Sequence, residues 1–219
     1  MKHVFRGVYA CTEHVKLLKS IGGINTIIDI GANKGQFTLA ARSVYPEANI
    51  ISFEPLEKPA EKFNNFFKTD NRVTLFKNAI GVKEEKIFMH VSNREDSSSL
   101  LPIGSNQSNV FPGTEESHTV DIEVAPLSKF LSKKDLVKPV FVKIDVQGFE
   151  LEVLKGSENL LEFIDYIYVE CSFIELYEGQ AFADEVITYL NNYAFKLKGI
   201  YNTFYDKAGI AIQADFLFT

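Results

Sequence analysis

The apolar positions of the chain fall into short runs and helical stripes that alternate. Residues 24–30 (INTIIDI) form a run rich in β-branched side chains that ends at Asp29-Ile30-Gly31, the pattern of a strand buried on both faces. Phe37, Ala40, Ala41 and Val44 follow at helical spacing and stop before Pro46, so the spacing predicts a helix directly after the strand. Residues 49–53 (NIISF), a stripe of Leu56, Ala60, Phe63 and Phe67, and residues 72–76 (RVTLF) continue as strand, helix and strand. A β-α-β-α-β order forces parallel strands joined by right-handed crossovers. Ahead of it Val8, Cys11, Val15 and Leu18 recur on one face, which predicts a helix within residues 1–20.

The middle of the chain has a different period. Residues 85–91 and 119–124 alternate like the strands of a half-solvated hairpin, and between them residues 92–118 are rich in Ser, Asn, Gly and Pro. Long connections of that kind are uncommon outside lids and disordered segments, so residues 85–125 read as an inserted hairpin with a lid or substrate loop. From Pro139 the first rhythm returns: a strand over 140–145, a helix over 149–155 stopped by Gly156, a second helix capped by Ser157, and a strand over 164–171. Phe182, Val186, Tyr189 and Leu190 give a last helix, and residues 194–201 and 210–218 two closing strands. With no repeat and no linker, residues 1–219 read as one doubly wound α/β domain, mostly parallel with an antiparallel C-terminal strand pair.

Composition narrows the function classes. The 219 residues carry 23 Lys+Arg against 29 Asp+Glu, a formal charge of −6, which disfavours a protein that coats phosphate backbones, so no nucleic-acid partner is expected. No apolar run approaches the ~18–20 residues of a membrane helix and the N-terminal stretch is too polar for a signal-peptide core, so the expected compartment is the cytoplasm. Cys11 and Cys171 make neither a disulfide framework nor a zinc site.

Doubly wound sheets bind ligands at the carboxyl ends of their strands, which directs attention to the first strand-to-helix turn, Asp29-Ile30-Gly31-Ala32-Asn33-Lys34-Gly35. It fails as a P-loop because Gln36 and Phe37 follow Gly35, and as a dinucleotide fingerprint because Asn33 and Gln36 stand where glycines are needed. What remains is an acid at the strand end, a Gly-x-x-x-Gly turn, and a second acid, Glu54, 25 residues further on at the end of the next strand. Glu54 suits the hydroxyls of an adenosine ribose. Asp29 suits a cationic centre, and the amides after Gly31 suit a carboxylate. A ligand with adenosine, no phosphate and a cation is S-adenosylmethionine. The bland alternatives are tight packing for the glycines and helix capping for the acids.

The segments IDIGANKGQFTLAA, ISFEPLEKPAEKF, NAIGVKEEKIFMHV, SSSLL, VDIEVAPLSKFL, VFVKIDVQGFELEVLKGSENLL and YVECSFIELYEGQ, in this order, resemble the FkbM-type methyltransferase family over roughly residues 24–219. The resemblance implies a class I methyltransferase (Rossmann-like) fold, S-adenosyl-L-methionine as cofactor and methylation of a hydroxyl on a sugar, glycan or polyketide. It also implies Asp29, Gly31 and Asn33 at the methionine moiety, Glu54 on the ribose, Asn78, Ala79 and Ile80 along the adenine, and Ser99 at the cofactor. One departure is Gln147, where the family commonly has an acid.

Methyl transfer to an alcohol needs alignment and a base. Asp145, at the end of the fourth strand, is the first candidate, against the alternative that it orients its loop or caps a helix. Glu170, at the end of the fifth, is the second. His90 on an alternating strand reads as structural, and Glu150 as a favourable first-turn charge. Asp145 with Glu170 could also hold a divalent ion, although no metal is expected. Seven of the nine tyrosines fall between Tyr166 and Tyr205, and Tyr177, Tyr201 and Tyr205 are candidates for an acceptor pocket. The competing functions are an NAD-dependent oxidoreductase or epimerase and a non-catalytic S-adenosylmethionine-binding module.

Overall fold

A computed structural model gives the structure over residues 8–219. The helix expected within residues 1–20 is α1, Thr12–Ser20; it starts later than Val8, and residues 1–7 lie outside the described residues. The chain then runs β1 (Thr26–Ile30), α2 (Gln36–Val44), β2 (Asn49–Phe53), α3 (Glu57–Phe67), β3 (Val73–Phe76) and β4 (Ala79–Ile80). A hairpin of β5 (Glu85–Ser92) and β6 (Glu116–Ala125) carries α4 (Ser105–Val110) in its connection. After it come β7 (Val140–Ile144), α5 (Glu150–Gly156), β8 (Tyr166–Ser172), α6 (Ala183–Asn192), β9 (Leu197–Tyr205) and β10 (Ala211–Phe218).

Seven strands form one sheet in the order β3-β2-β1-β7-β8-β10-β9, parallel except where β10 runs antiparallel between β8 and β9. All five residues of β1 and all five of β7 are buried, as their unbroken apolar runs require. Ile28, Ile30, Val142, Ile144, Ile167 and Val169 face a core closed by α5 and α6, while Ile27, Ile50 and Phe141 face α1 and α2. Full burial of each such side chain stabilises by roughly 1.5–3 kcal/mol. None of the helices among the described residues is long and apolar enough to cross a membrane.

The insertion differs from the expected loop. β5 and β6 pair antiparallel, β4 joins β6 in parallel, and Leu56, Met89, Val91, Ile122 and Val124 give this small sheet a core of its own. The polar stretch between the strands is ordered through buried polar residues: Ser97, Ser98, Ser99, Gln107 and Thr114 are all buried. It is tied to the 172–180 segment by an Ile103–Tyr177 bridge and by the Gly104 amide donating to the Leu176 carbonyl at 2.9 Å. The second helix expected after Gly156 is a 3-10 turn, Glu158–Phe163.

Helix α5 ends on Gly156, whose added Cβ would sit 2.2 Å from the carbonyl oxygen of Gly81. That is backbone against backbone, so Gly156→Ala is expected to destabilise the fold by about 1–3 kcal/mol, read as a lower denaturation midpoint with an unchanged slope.

Candidate active site

From β1 the chain builds outward through β2 and β3 on one side, and β7 and β8 lie on the other, so the switch point falls between the ends of β1 and β7. There the Asp145 amide donates to the Ile30 carbonyl at 3.1 Å. Gly31 has φ +83, and a Cβ on it would lie 1.8 Å from the Asp145 carbonyl oxygen; only glycine fits the seam. Asn33 takes the left-handed conformation at φ 47.

The turn is closed on itself. The amides of Gly31 and Ala32 both donate to the Phe53 carbonyl, at 3.0 and 2.9 Å, and the Gly35 amide donates to Ala32 at 2.8 Å. The Asn33 amide donates to Glu54 Oε2 at 2.9 Å and the Lys34 amide to Asn33 Oδ1 at 2.8 Å. The amides of residues 31–35 thus already have acceptors within the protein, and of the amides after Gly31 those of Gln36 and Phe37 at the start of α2 are left for a ligand carboxylate. Glu54, 5% exposed, also accepts from the Leu56 amide at 2.8 Å. Burial pushes its carboxyl up to about 7, against the pull of those two amides.

A polar row crosses the sheet one layer above the floor of Ile27, Ile50 and Phe141. By register it runs Ser52, Asp29, Lys143, Tyr168 over β2, β1, β7 and β8. Thr38 of α2 donates to Asp29 Oδ2 at 2.7 Å and is 3.0 Å from Ser52 Oγ. Lys143, 6% exposed, holds its ammonium 3.6 Å from Asp29 Oδ1 and 3.2 Å from Asp145 Oδ2, and donates to the Gly31 carbonyl at 3.3 Å. Burial alone would lower this lysine; Asp145 and Asp29 outweigh it and hold the group above its ordinary value. Burial raises Asp29 against the opposing pull of Lys143 and Thr38. Sequence reasoning passed over Lys143; the available signal was a charge in the middle of the apolar run VFVKI.

Asp145 and Glu170 are brought together by Gln147. Its side-chain amide donates to Asp145 Oδ1 at 2.8 Å and to Glu170 Oε2 at 2.9 Å, while its Oε1 accepts from the Tyr177 hydroxyl at 2.7 Å. Gln147 sits at φ 58, a conformation a non-glycine residue adopts at a cost of about 1–3 kcal/mol. Gln213 donates to the other Glu170 oxygen at 2.9 Å. The two acids are shifted in opposite directions. Burial works to raise Asp145, but Lys143 and the Gln147 amide override it and hold the carboxyl below its usual range. Burial, with Asp145 and Asp215 as neighbouring charges, pushes Glu170 well above that range.

Two cavities meet at this seam. A slot of about 50 Å³ is lined by Phe53, Ile80, Met89, Val146 and Phe149 with Asn78 and Ala79 at its edge. A cavity of about 300 Å³ holds Asn33, Lys143, Asp145 and Glu170, and its far wall is Cys11, Glu13 and His14 from the start of α1 with Asn202 and Asp215 from β9 and β10. Gly31 and Glu54 line both. A larger groove of about 640 Å³, between the start of α3 and the hairpin, reaches none of the strand-end acids Asp29, Asp145 or Glu170.

Other sequence candidates stand elsewhere. Ser99 is fully buried, donating to the Gln147 carbonyl at 2.6 Å and accepting from the Leu101 amide, so it pins the Gln147 turn and lines neither cavity. His90 pairs with Glu116 across the hairpin. Glu150 accepts from the Val146 and Gly148 amides at the start of α5, and burial pushes it up to about 7. Tyr177 is core, Tyr201 packs on Tyr168, and Tyr205 is exposed, so none of the three faces the 300 Å³ cavity. The cavity's polar lining is carboxylate and amide instead.

The chain is similar to known proteins. The 2-O-methyltransferase NoeI of Sinorhizobium fredii is 29% identical over 160 residues, 70% of this chain and 66% of its own length. The hexuronic acid methyltransferase AglP of Haloferax volcanii is 29% identical over 162 residues, 70% of this chain and 59% of its own. The chain thus spans about two thirds or less of the length of these two relatives. A Streptococcus pneumoniae protein solved in complex with S-adenosyl-L-methionine has the same fold, with a TM-score of 0.51 at 10% identity over 94% of this chain and 71% of that one. The family model for the methyltransferase FkbM domain matches residues 29–197, from the acid that opens the Gly31 turn to the first residue of β9, and by that match the chain belongs to the FkbM methyltransferase family.

Proposed function

We propose that the protein moves a methyl group from S-adenosylmethionine to a hydroxyl of a small hydroxylated acceptor, a sugar in the first instance. The observation that carries this reading is the junction at Gly31 and Glu54 of an apolar slot with an acid-lined cavity. The donor set fits the cofactor: a flat apolar slot beside Asn78, Ala79 and Ile80 for adenine, Glu54 for the ribose, and carboxylates in place of phosphate-binding amides for a cation. The methionine carboxylate falls to the first turn of α2, whose Gln36 and Phe37 line the cavity. The names of the two relatives support a sugar hydroxyl as acceptor.

The bound cofactor supplies a methyl carbon activated by its sulfonium; the acceptor oxygen bonds to that carbon as the carbon–sulfur bond breaks and its electron pair stays on sulfur. The chain's own task is to align the acceptor, exclude water and take the hydroxyl proton. A carboxylate held below its usual range is a weak base, and one raised above that range is a stronger one. This assigns the proton to Glu170. Asp145, anchored by Lys143 and Gln147, would supply a fixed negative charge for the sulfonium of a bound cofactor. Calorimetry should register S-adenosylhomocysteine binding, and methyl-labelled cofactor should label a sugar; tighter binding of NAD than of S-adenosylhomocysteine overturns the reading.

EDTA is expected to leave transfer unchanged. The oxygens a divalent ion would take on Asp145 and Glu170 already receive Gln147, Gln213 and Lys143, and the ammonium repels a second cation. Activity lost to chelation and restored by magnesium would refute this.

A further inference from the structure

We propose that the acceptor carries a protonated amine near the hydroxyl that is methylated, as an amino sugar does, and that Asp215 receives that amine. This rests on the methyl-transfer reading above and names its substrate class.

Asp215 stands on the far wall of the 300 Å³ cavity, its side chain 13% exposed. One oxygen, Oδ2, is crowded: the Tyr168 hydroxyl and the Asn202 side-chain amide each donate to it at 2.8 Å, and His14 Nδ1 is 3.7 Å away. No donor among the described residues reaches Oδ1. Asn202 owes its place to an irregularity: the β9–β10 register shifts between Gln213 and Asp215, and Asn202 takes a left-handed φ of 48. Such a bulge re-aims a side chain at the cost of a ladder bond, here to hold Asp215 in one orientation.

Among the described residues, no lysine or arginine pairs with Asp215. The lining residues include Glu13, Glu54, Asp96, Asp145, Glu170 and Asp215 but a single lysine, and Lys143 is committed to Asp29 and Asp145. Glu13 makes no salt bridge with a described residue, and Glu170 is held only by amides. A bound sulfonium would answer the charge near Asp145; among the described residues only the His14 ring stands close enough to answer it at Asp215. An acceptor bearing a carboxylate would meet like charge there, whereas an ammonium gains a charge-assisted hydrogen bond to the open oxygen. The protonated amine also has no lone pair, so the methyl group goes to oxygen rather than nitrogen.

The test compares glucosamine, N-acetylglucosamine and glucuronic acid by saturation-transfer NMR titration, with and without S-adenosylhomocysteine. Glucosamine should bind best, about tenfold tighter than the N-acetyl sugar, and glucuronate weakest. Asp215→Asn should remove about tenfold from glucosamine alone, and Glu13→Gln, on the exposed start of α1, should give a smaller loss in the same direction. Glucuronate binding as well as glucosamine, equal losses for all three sugars in Asp215→Asn, or no binding of glucosamine would each overturn the proposal. Absence of S-adenosylhomocysteine binding sinks the cofactor reading instead, and the sugar ranking on the free protein is read separately.

Discussion

Glu170→Gln is expected to keep its affinity for S-adenosylhomocysteine and to lose turnover by about 10²–10⁴-fold, the usual worth of a positioned base. Glutamine preserves the volume and accepts the same amide contacts from Gln147 or Gln213 at one of its two positions, so the loss is one of proton acceptance. The pH profile makes the assignment sharper. A base must be ionised, and Glu170 is raised well above the ordinary carboxylate range, so the rate should climb with pH through that raised value. If Asp145 were the base, its lowered value would place the rising limb below the ordinary range and leave the profile flat across neutrality. Asp145→Asn should also slow the reaction, by disturbing the charge opposite the sulfonium, while leaving the rising limb in place. A flat profile with full activity in Glu170→Gln would return the role to Asp145.

Glu54→Ala is expected to abolish measurable cofactor binding. Two amides, of Asn33 and Leu56, lose their acceptor, at about 1–3 kcal/mol for each group left unsatisfied, and the ribose loses its partner. Together these correspond to a loss of at least about a hundredfold in affinity, read by calorimetry with S-adenosylhomocysteine. Because the same side chain braces the Gly31 turn, the melting temperature should fall as well. Binding unchanged to within twofold would remove Glu54 from the site.

How much of this was legible depends on the range over which each signal acts. The runs INTIIDI and VFVKID, and the stripe of Phe37, Ala40 and Ala41, carry their period locally, and β1, β7 and α2 lie where that period puts them. The close approach at Gly31 follows the same logic, since a glycine at a strand end can be read from five residues. The hairpin over residues 85–125 is where its alternation puts it, but the order within residues 92–118 was not legible, because it comes from buried serines, Gln107 and Thr114, whose types alone signal solvent. Ser99 was assigned to the cofactor by its motif, whereas its hydroxyl is spent on the Gln147 turn, 48 residues away in the chain. His14 reaches Tyr168 across 154 residues, and Asn202 reaches it across 34. A period of two or 3.6 residues carries no trace of such pairings. The tyrosine cluster failed for the converse reason: clustering in the chain did not become clustering in space, because β9 sends Tyr201 toward the core and leaves Tyr205 in solvent.

The walls of the 300 Å³ cavity have different origins along the chain. Gly31, Asn33, Glu54, Asp145 and Glu170 all lie within residues 29–197, the span shared with the family, while Cys11, Glu13, His14, Asn202 and Asp215 all lie outside it. One side of the pocket thus falls inside the span that the family model matches and the other falls outside it. The two walls are carried by separate stretches of chain, so a substitution at Glu13, Asn202 or Asp215 alters the far wall without touching the polar row of Ser52, Asp29 and Lys143 that braces the Gly31 turn.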